Sequence, residues 1–216
     1  MYLLLLLLNS VTSSQNLIRN LLLVLGIFLI AASLRAPITG IAPVLEQIIE
    51  QFQLNASQAG MLTTLPLIAF AIASPMAASL AIKCGLEISL FIALVLIGIG
   101  VVSRVIDSAT VLFIGTAVIG VGIAIGNVLL PSLIKRDFPH KVAVMTSSYV
   151  LAMGIFGGSY SALIIPLAEY KELGWQLALA SYALLVVLAI VVWLPQLKQH
   201  TMPKQAYVSN NIQNKI

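Results

Sequence analysis

The chain has 216 residues, of which 60% are hydrophobic and only 8% are charged. With a mean hydropathy of +1.07, this composition excludes an ordinary soluble domain and indicates a membrane protein. The net charge is +4, but the basic residues are scattered between apolar runs, so nucleic-acid binding is not indicated. Cys84 alone cannot form an internal disulfide, and neither His140 nor His200 lies in an apolar run. We therefore predict no metal site and no cofactor.

Six apolar segments reach the roughly 20 residues that a helix needs to cross a bilayer. We predict an all-α, polytopic membrane protein, a six-helix bundle made of two inverted three-helix repeats. The bundle occupies residues 18–196, with helices at about 21–45, 59–82, 88–106, 111–134, 142–167 and 175–194. Residues 1–17 are predicted to be a tail, because the leucine run at 3–8 is too short to span and lacks the basic flank of a signal peptide. Residues 197–216 are polar, and we predict a disordered cytoplasmic tail.

The basic residues predict the orientation of the bundle. With a cytoplasmic N-terminus, eight basic residues face inward and only Arg104 and Lys171 face outward, while Arg35 lies within the membrane. The inward set is Arg19, Lys83, Lys135, Arg136, Lys141, Lys198, Lys204 and Lys215. This imbalance fits the positive-inside rule, so both termini are expected in the cytoplasm.

Prolines divide the six predicted spans into two kinds. Spans 1, 2, 4 and 5 contain interior prolines, whereas spans 3 and 6 do not and are expected to form an outer wall. Each proline frees the carbonyl four residues earlier, which lipid cannot satisfy. We predict helix breaks or gating points at Pro37, Pro43, Pro66 and Pro131. The repeated order fits two inverted triplets, although prolines are ordinary enough in membrane helices to produce it without a repeat.

Arg35 is an unusual residue for the middle of an apolar span. It lies 16 residues beyond Arg19, or about 24 Å along a helix, which places it in the outer half of the bilayer. A guanidinium stays protonated and presents a planar set of donors, which suits a small anion or a polarised carbonyl or nitro group. Thr39, four residues on, shares its helix face. We predict that both contact a substrate; pairing with Asp107 or with freed carbonyls, and snorkelling to the interface, are the alternatives.

Span 4 carries a second polar position. Gly122 and Gly126 form a small-residue step that favours close helix packing. Asn127 is different, because Pro131 frees its carbonyl and its amide adds hydrogen-bonding capacity inside the membrane. Contact with substrate and an interhelical hydrogen bond both explain it. The predicted substrate-binding residues are Arg35, Thr39, Asn127 and Tyr149.

Four stretches resemble a known family: "LRAPITGIAPVL", "GMLTTLPLIAF", "GVGIAIGNVLLPSLIKRDFPHKVAVMTSSY" and "WLPQ". Together, over about residues 18–196, they are similar to the cyanate and 2-nitroimidazole transporters of the major facilitator superfamily. The resemblance implies a secondary transporter of the bacterial inner membrane that works by alternating access, with spans 1 and 4 lining the path. It places Arg35 and Pro37 in the family's arginine-proline region and Asn127 in its span 4 motif. A small anionic or polar solute, such as cyanate or a nitroimidazole-like compound, is the expected substrate.

The chain departs from the superfamily pattern in two ways. The loop "LAIKCGLEIS" keeps only Lys83 and Gly85 of the usual glycine, aspartate and basic residues. The family also resembles twelve-helix proteins, whereas this chain supplies six helices, so a central cavity would need a second six-helix half or a homodimer. A truncated product, or a non-transporting fragment, is the alternative.

An enzyme is not expected. "GGSY", Gly157 to Tyr160, superficially offers the serine of an intramembrane protease, but no predicted span contains a histidine to act as its base. The expected partners are therefore the lipid bilayer and a small-molecule substrate, with no nucleic acid.

Overall fold

In the computed structural model, the backbone is described for residues 2–169 and 174–198, and side chains are described from residue 20 onward within those ranges. The helices are α1 (Tyr2–Thr39), α2 (Leu45–Phe52), α3 (Ala56–Cys84), α4 (Leu86–Ser103), α5 (Ala109–Asp137), α6 (Val142–Glu169), α7 (Gly174–Ala180) and α8 (Ala183–Trp193). Short 3-10 turns cover Ala42–Val44 and Leu194–Lys198.

These elements form six spans that are long and apolar enough to cross a membrane. Span 1 combines α1, the first 3-10 turn and α2; spans 2 to 5 are the single helices α3 to α6; and span 6 combines α7, α8 and the second turn. Within the described residues there is no β-strand. The predicted all-α, six-helix membrane fold is therefore confirmed.

The described residues include the backbone of the predicted N-terminal tail but little of the predicted C-terminal tail. Helix α1 begins at Tyr2, so the backbone of the predicted N-terminal tail is helical and continuous with span 1. Nearly all of the predicted C-terminal tail lies outside the described residues, as do Lys171, Lys204 and Lys215.

The spans pair across the two halves of the sequence. Helix α1 packs mainly on α6, and α3 packs mainly on α5, so the first span of each triplet lies against the second span of the other triplet. This exchange is the packing that a two-fold relation between the triplets requires. Helix α4 packs along α5, and half of its most apolar stretch is buried. Span 3 is therefore more enclosed than the outer wall that its sequence suggested.

Glycines allow the closest helix approaches. A Cβ atom on Gly122 would lie 2.8 Å from the Ala93 carbonyl oxygen of α4, which is nearer than such atoms normally come. A Cβ on Gly126 would collide with the Leu34 side chain of α1. The two glycines of span 4 therefore serve two different neighbours, α4 at Gly122 and α1 at Gly126, because small residues let membrane helices approach closely.

One end of the bundle carries Lys83, Lys135, Arg136 and Lys141, and we call it the basic end. There, Arg136 at the end of α5 forms an ion pair with Glu87 at the start of α4, with 2.6 Å between Nη1 and Oε1. Glu87 is buried, and its carbonyl accepts a hydrogen bond from Trp193 Nε1 of α8. The basic turn of span 4 therefore holds neighbouring helix ends, beyond any effect on orientation.

The buried side chains form two hydrophobic clusters. The larger reaches the basic end and includes Leu34, Val101 and Ile119. The smaller lies at the opposite end and includes Leu112 and Ile164. Spans 1, 4 and 5 each contribute residues to both clusters. The short segments between the two clusters in these spans contain polar groups described below.

The glycine contacts predict that two Gly→Ala substitutions have very different effects on the thermal unfolding midpoint. Gly122→Ala places a methyl group against the α4 backbone and should lower the thermal unfolding midpoint of the chain in detergent. In Gly154→Ala the new methyl meets no atom within 4 Å, and alanine favours helix, so the midpoint should stay or rise slightly. Circular dichroism melts of both variants measure this. Equal midpoints for the two would show that α4 and α5 do not approach at Gly122 as described.

Candidate functional site

In span 1 the long helix ends beside two prolines. Helix α1 stops at Thr39, and Pro43 lies in the 3-10 turn that follows. In a continuing α-helix the Ile41 amide would donate to the Pro37 carbonyl, but it donates instead to the Ile38 carbonyl at 3.3 Å. The Pro37 carbonyl therefore needs a donor from elsewhere, since lipid offers none.

Arg104 supplies that donor. It follows the last residue of α4, and its Nη1 donates to the Pro37 carbonyl oxygen at 2.9 Å, while Nη2 donates to Thr116 Oγ1 of α5 at 3.3 Å. The side chain is only 1% exposed. We predicted that Arg104 faces outward at the end of span 3, and the structure instead buries it inside the bundle. The freed carbonyl and the threonine hydroxyl give its guanidinium buried acceptors, which a count of loop charges does not consider.

Other donors surround the same part of α1. Tyr182 donates its hydroxyl to the Ala32 carbonyl at 2.6 Å, and Thr39 donates Oγ1 to the Gly157 carbonyl of α6 at 3.0 Å. The ring of Tyr160 lies against that of Tyr182, with their centroids 4.6 Å apart. Side chains from α4 and span 6, together with an α6 carbonyl, thus hold the last two turns of α1 in place.

Arg35 lies on the open side of this arrangement. It is exposed, and its guanidinium makes no hydrogen bond or ion pair with any residue that the structure describes. A Cβ atom on Gly157 would lie 2.6 Å from Arg35 Cγ, so the stem of Arg35 rests against α6. The alternative pairing with Asp107 is not formed, because Asp107 Oδ1 accepts a hydrogen bond from Gln51 Nε2 at 2.6 Å. The donors of Arg35 are consequently not used by any of the described residues.

The other predicted site residues lie at different distances from Arg35. Thr39 contacts Gly157, as the stem of Arg35 does. Asn127 is half-buried and follows Gly126, where α5 touches Leu34, so it lies next to the α1–α5 contact. Tyr149 precedes Gly157 by eight residues, or about 12 Å along α6. Arg35 and Thr39 therefore meet at Gly157. Tyr149 lies two turns of α6 from Gly157, nearer the basic end.

The predicted breaks at the other two prolines are absent. Helix α3 runs unbroken through Pro66, and α5 runs unbroken through Pro131. A proline removes a single amide donor, and helix neighbours can accommodate that loss in a protein interior. At Pro66 the neighbour is Gly120, whose added Cβ would lie 2.7 Å from the Pro66 carbonyl oxygen. Of the four prolines that were predicted to break helices, only Pro37 and Pro43 lie near an interruption, and both belong to span 1.

This arrangement is that of a helical integral membrane protein with a polar break in its first span. The family model described as "Major Facilitator Superfamily" matches residues 21–209, and the chain belongs to that superfamily. The resemblance inferred from the motifs is therefore confirmed.

Curated relatives agree with this assignment. The chain is 51% identical to the 2-nitroimidazole transporter of Escherichia coli (strain K12) over 177 residues, which are 82% of this chain and 45% of that protein. It is 30% identical to the cyanate transport protein CynX of the same organism, over 79% of this chain and 44% of that protein. The chain therefore spans about half the length of the curated relatives that it matches.

A solved structure shows the same fold. The chain is similar to the proton:xylose symporter XylE bound to 6-bromo-6-deoxy-D-glucose, with a TM-score of 0.74 and 17% sequence identity. The match covers 81% of this chain and 44% of that one. At this identity the likeness defines the fold and nothing about the solute.

Two tyrosines test the support of α1. Tyr182 and Tyr149 are both buried, but only Tyr182 has a hydroxyl bonded within the described residues. Tyr182→Phe should lower the free energy of unfolding by about 1 kcal/mol, the typical net value of such a bond. Tyr149→Phe is the matched control and should change it much less. Thermal unfolding in detergent checks this, and a larger loss in the control would contradict the assigned bond.

Proposed function

We propose that this chain forms one six-helix half of a secondary transporter for a small anionic or polar organic solute. The observation that carries the proposal is the exposed Arg35 guanidinium beside the break in span 1, whose donors are unoccupied within the described residues. Intramembrane charges are costly and usually mark a solute pathway. The names of the relatives supply the solute class, because cyanate and 2-nitroimidazole both present electron-rich acceptor atoms to such donors.

Arg35 would bind the negative pole of the solute. The carboxylate-like geometry of a nitro group can accept two parallel hydrogen bonds from a guanidinium, which a lysine cannot offer. Thr39 lies on the same turn, and its hydroxyl is already bonded to the Gly157 carbonyl, so it can accept a further bond. Asn127 would contribute an amide from α5. Tyr149, farther along α6, would close the pocket toward the basic end.

A second six-helix body would complete the solute path. Helices α3 and α6 have the smallest buried shares of their apolar stretches, 22% and 11% respectively. Gly60 of α3 and Gly154 and Gly158 of α6 have no atom within 4 Å of an added Cβ, so these faces can accept close contact from another helix. The half-length match to the relatives supports a separate second half as the partner. A second copy of this chain would offer the same faces.

The charge distribution supports one orientation of the chain in the membrane. Four basic residues lie at the basic end, and all belong to short turns or helix ends where the positive-inside rule applies. We place that end in the cytoplasm of a bacterial cell, with the chain in the inner membrane and both termini inside. A non-transporting fragment is the alternative function, and the experiment below separates the two.

Binding of 2-nitroimidazole to the chain in lipid nanodiscs tests the proposal. Arg35→Gln should weaken binding by at least about tenfold, because it removes a charged hydrogen-bonding partner. Arg35→Lys should be intermediate, since it keeps the charge and loses the planar donors. Lys135→Gln removes an exposed charge at the basic end and is the matched control, with unchanged affinity expected.

Transport itself requires the second half. Co-expression with the C-terminal half of the Escherichia coli 2-nitroimidazole transporter should restore uptake of 2-nitroimidazole in cells, and Arg35→Gln should abolish that gain. If wild-type chain binds neither 2-nitroimidazole nor cyanate and gives no uptake with the added half, the fragment alternative is correct. Uptake that is indifferent to Arg35→Gln would contradict the assigned binding role.

A further inference from the structure

Arg104 is a buried cation without a buried anion. Its two hydrogen bonds go to neutral oxygens, its Nε has no partner, and none of the ion pairs in the described part of the chain includes it. Burying a charge without a counter-charge is expensive, and a well-packed apolar residue would generally be the more stable choice. A contribution to stability therefore explains this residue poorly, and its bonding partners suggest another role.

Both partners of Arg104 lie between the two hydrophobic clusters. Pro37 follows Ala36 of the larger cluster and precedes Ile41 of the smaller one. Thr116 likewise lies between Leu112 and Ile119 of α5. The guanidinium thus joins α1 to α5 at the layer where span 1 loses its helical hydrogen bonds. A planar group with several fixed donors can bond to both spans at once, whereas one ammonium group is poorly shaped for this.

The Pro37 carbonyl is two residues from Arg35 and two from Thr39. These residues occupy just over one helical turn, so fixing the carbonyl at its centre fixes the direction of both side chains. On the opposite side, Thr39 is bonded to the Gly157 carbonyl at 3.0 Å, and the stem of Arg35 rests on Gly157. The turn is therefore held from two sides, by Arg104 behind it and by α6 beside it.

We propose that Arg104 is a positioning residue, which holds the last turn of α1 so that Arg35 and Thr39 face the solute. The inference rests on the proposed function of Arg35. Arg104 itself is sealed in the protein and does not touch the solute. Its action is indirect, through the Pro37 carbonyl, and this distinguishes it from a second binding arginine.

A double-mutant cycle tests the indirect action, with 2-nitroimidazole affinity in nanodiscs as the readout. Arg104→Met should weaken binding by about tenfold or more, because small displacements of a positioned group have large effects. In an Arg35→Lys background, the same substitution should weaken binding much less, since the two residues act through one element. Additive losses, or an affinity that Arg104→Met does not change, would overturn the proposal.

Amide hydrogen exchange tests the same contact without any solute. Arg104→Met should speed amide exchange over residues 36–45 and leave the exchange rates of α6 and α8 near those of the wild type. Arg104→Lys is the second variant, in case the apolar substitution prevents folding, and it should speed exchange over the same residues to a smaller extent. Leu90→Ala, which opens a cavity in the larger cluster on α4 near the basic end, is the control for general destabilisation and should speed exchange without this selectivity.

The two measurements separate the possible failures. If the wild-type chain binds no 2-nitroimidazole while Arg104→Met loosens residues 36–45, the proposed function fails and the hold of Arg104 on span 1 stands. If exchange over residues 36–45 is unchanged in both Arg104 variants, the positioning role is wrong whatever the binding data show.

Discussion

The hydrogen bond from Arg104 to the Pro37 carbonyl is the contact that allows span 1 to be interrupted inside the bundle. Lipid cannot satisfy a free carbonyl, so a membrane helix can be interrupted only where other protein groups supply donors. The interruption near Pro37 and Pro43 meets this requirement through a guanidinium that comes from the end of the third span. The bond also explains why a charge is kept in the interior without a counter-ion, since the charge is used as a set of donors.

The second consequence concerns Arg35. Two arginines lie close to the break in span 1, and they have opposite surroundings: Arg104 is enclosed and bonded, whereas Arg35 is exposed. Because Arg104 satisfies the backbone, Arg35 is not needed for that purpose. This division of roles makes Arg35 the residue that a solute would meet, and it relates the packing of the bundle to the proposed transport of a small acceptor-rich molecule.

The sequence predicted the fold well, because long apolar segments and the positions of charged residues are enough to define membrane helices. It also predicted that Arg35 and Thr39 share one helix face, since four-residue spacing places side chains there, and both lie against Gly157 of α6. It failed at Arg104, because a residue at the end of a span can turn inward as easily as outward. A signal was present, however: a span that is interrupted near prolines needs a donor for its free carbonyl, and Arg104 lies at the end of α4, which packs against α1.

Pro66 and Pro131 show a second limit. The loss of one amide predicts a weak point in a helix, but whether the helix breaks depends on its neighbours. Helix α3 is continuous through Pro66, where Gly120 of α5 packs closely against it, and such contacts cannot be read from a proline pattern. In span 1 the proline pair falls at the exit from the larger cluster, and there the helix ends.

The most direct measurement is arginine modification in intact membranes, with p-hydroxyphenylglyoxal as the reagent and mass spectrometry to locate the adducts. The account predicts that Arg35 is modified, that 2-nitroimidazole protects it, and that Arg104 stays unmodified until the protein unfolds. Modification of Arg104 at a rate similar to that of Arg35, or no protection of Arg35 by the solute, would contradict it.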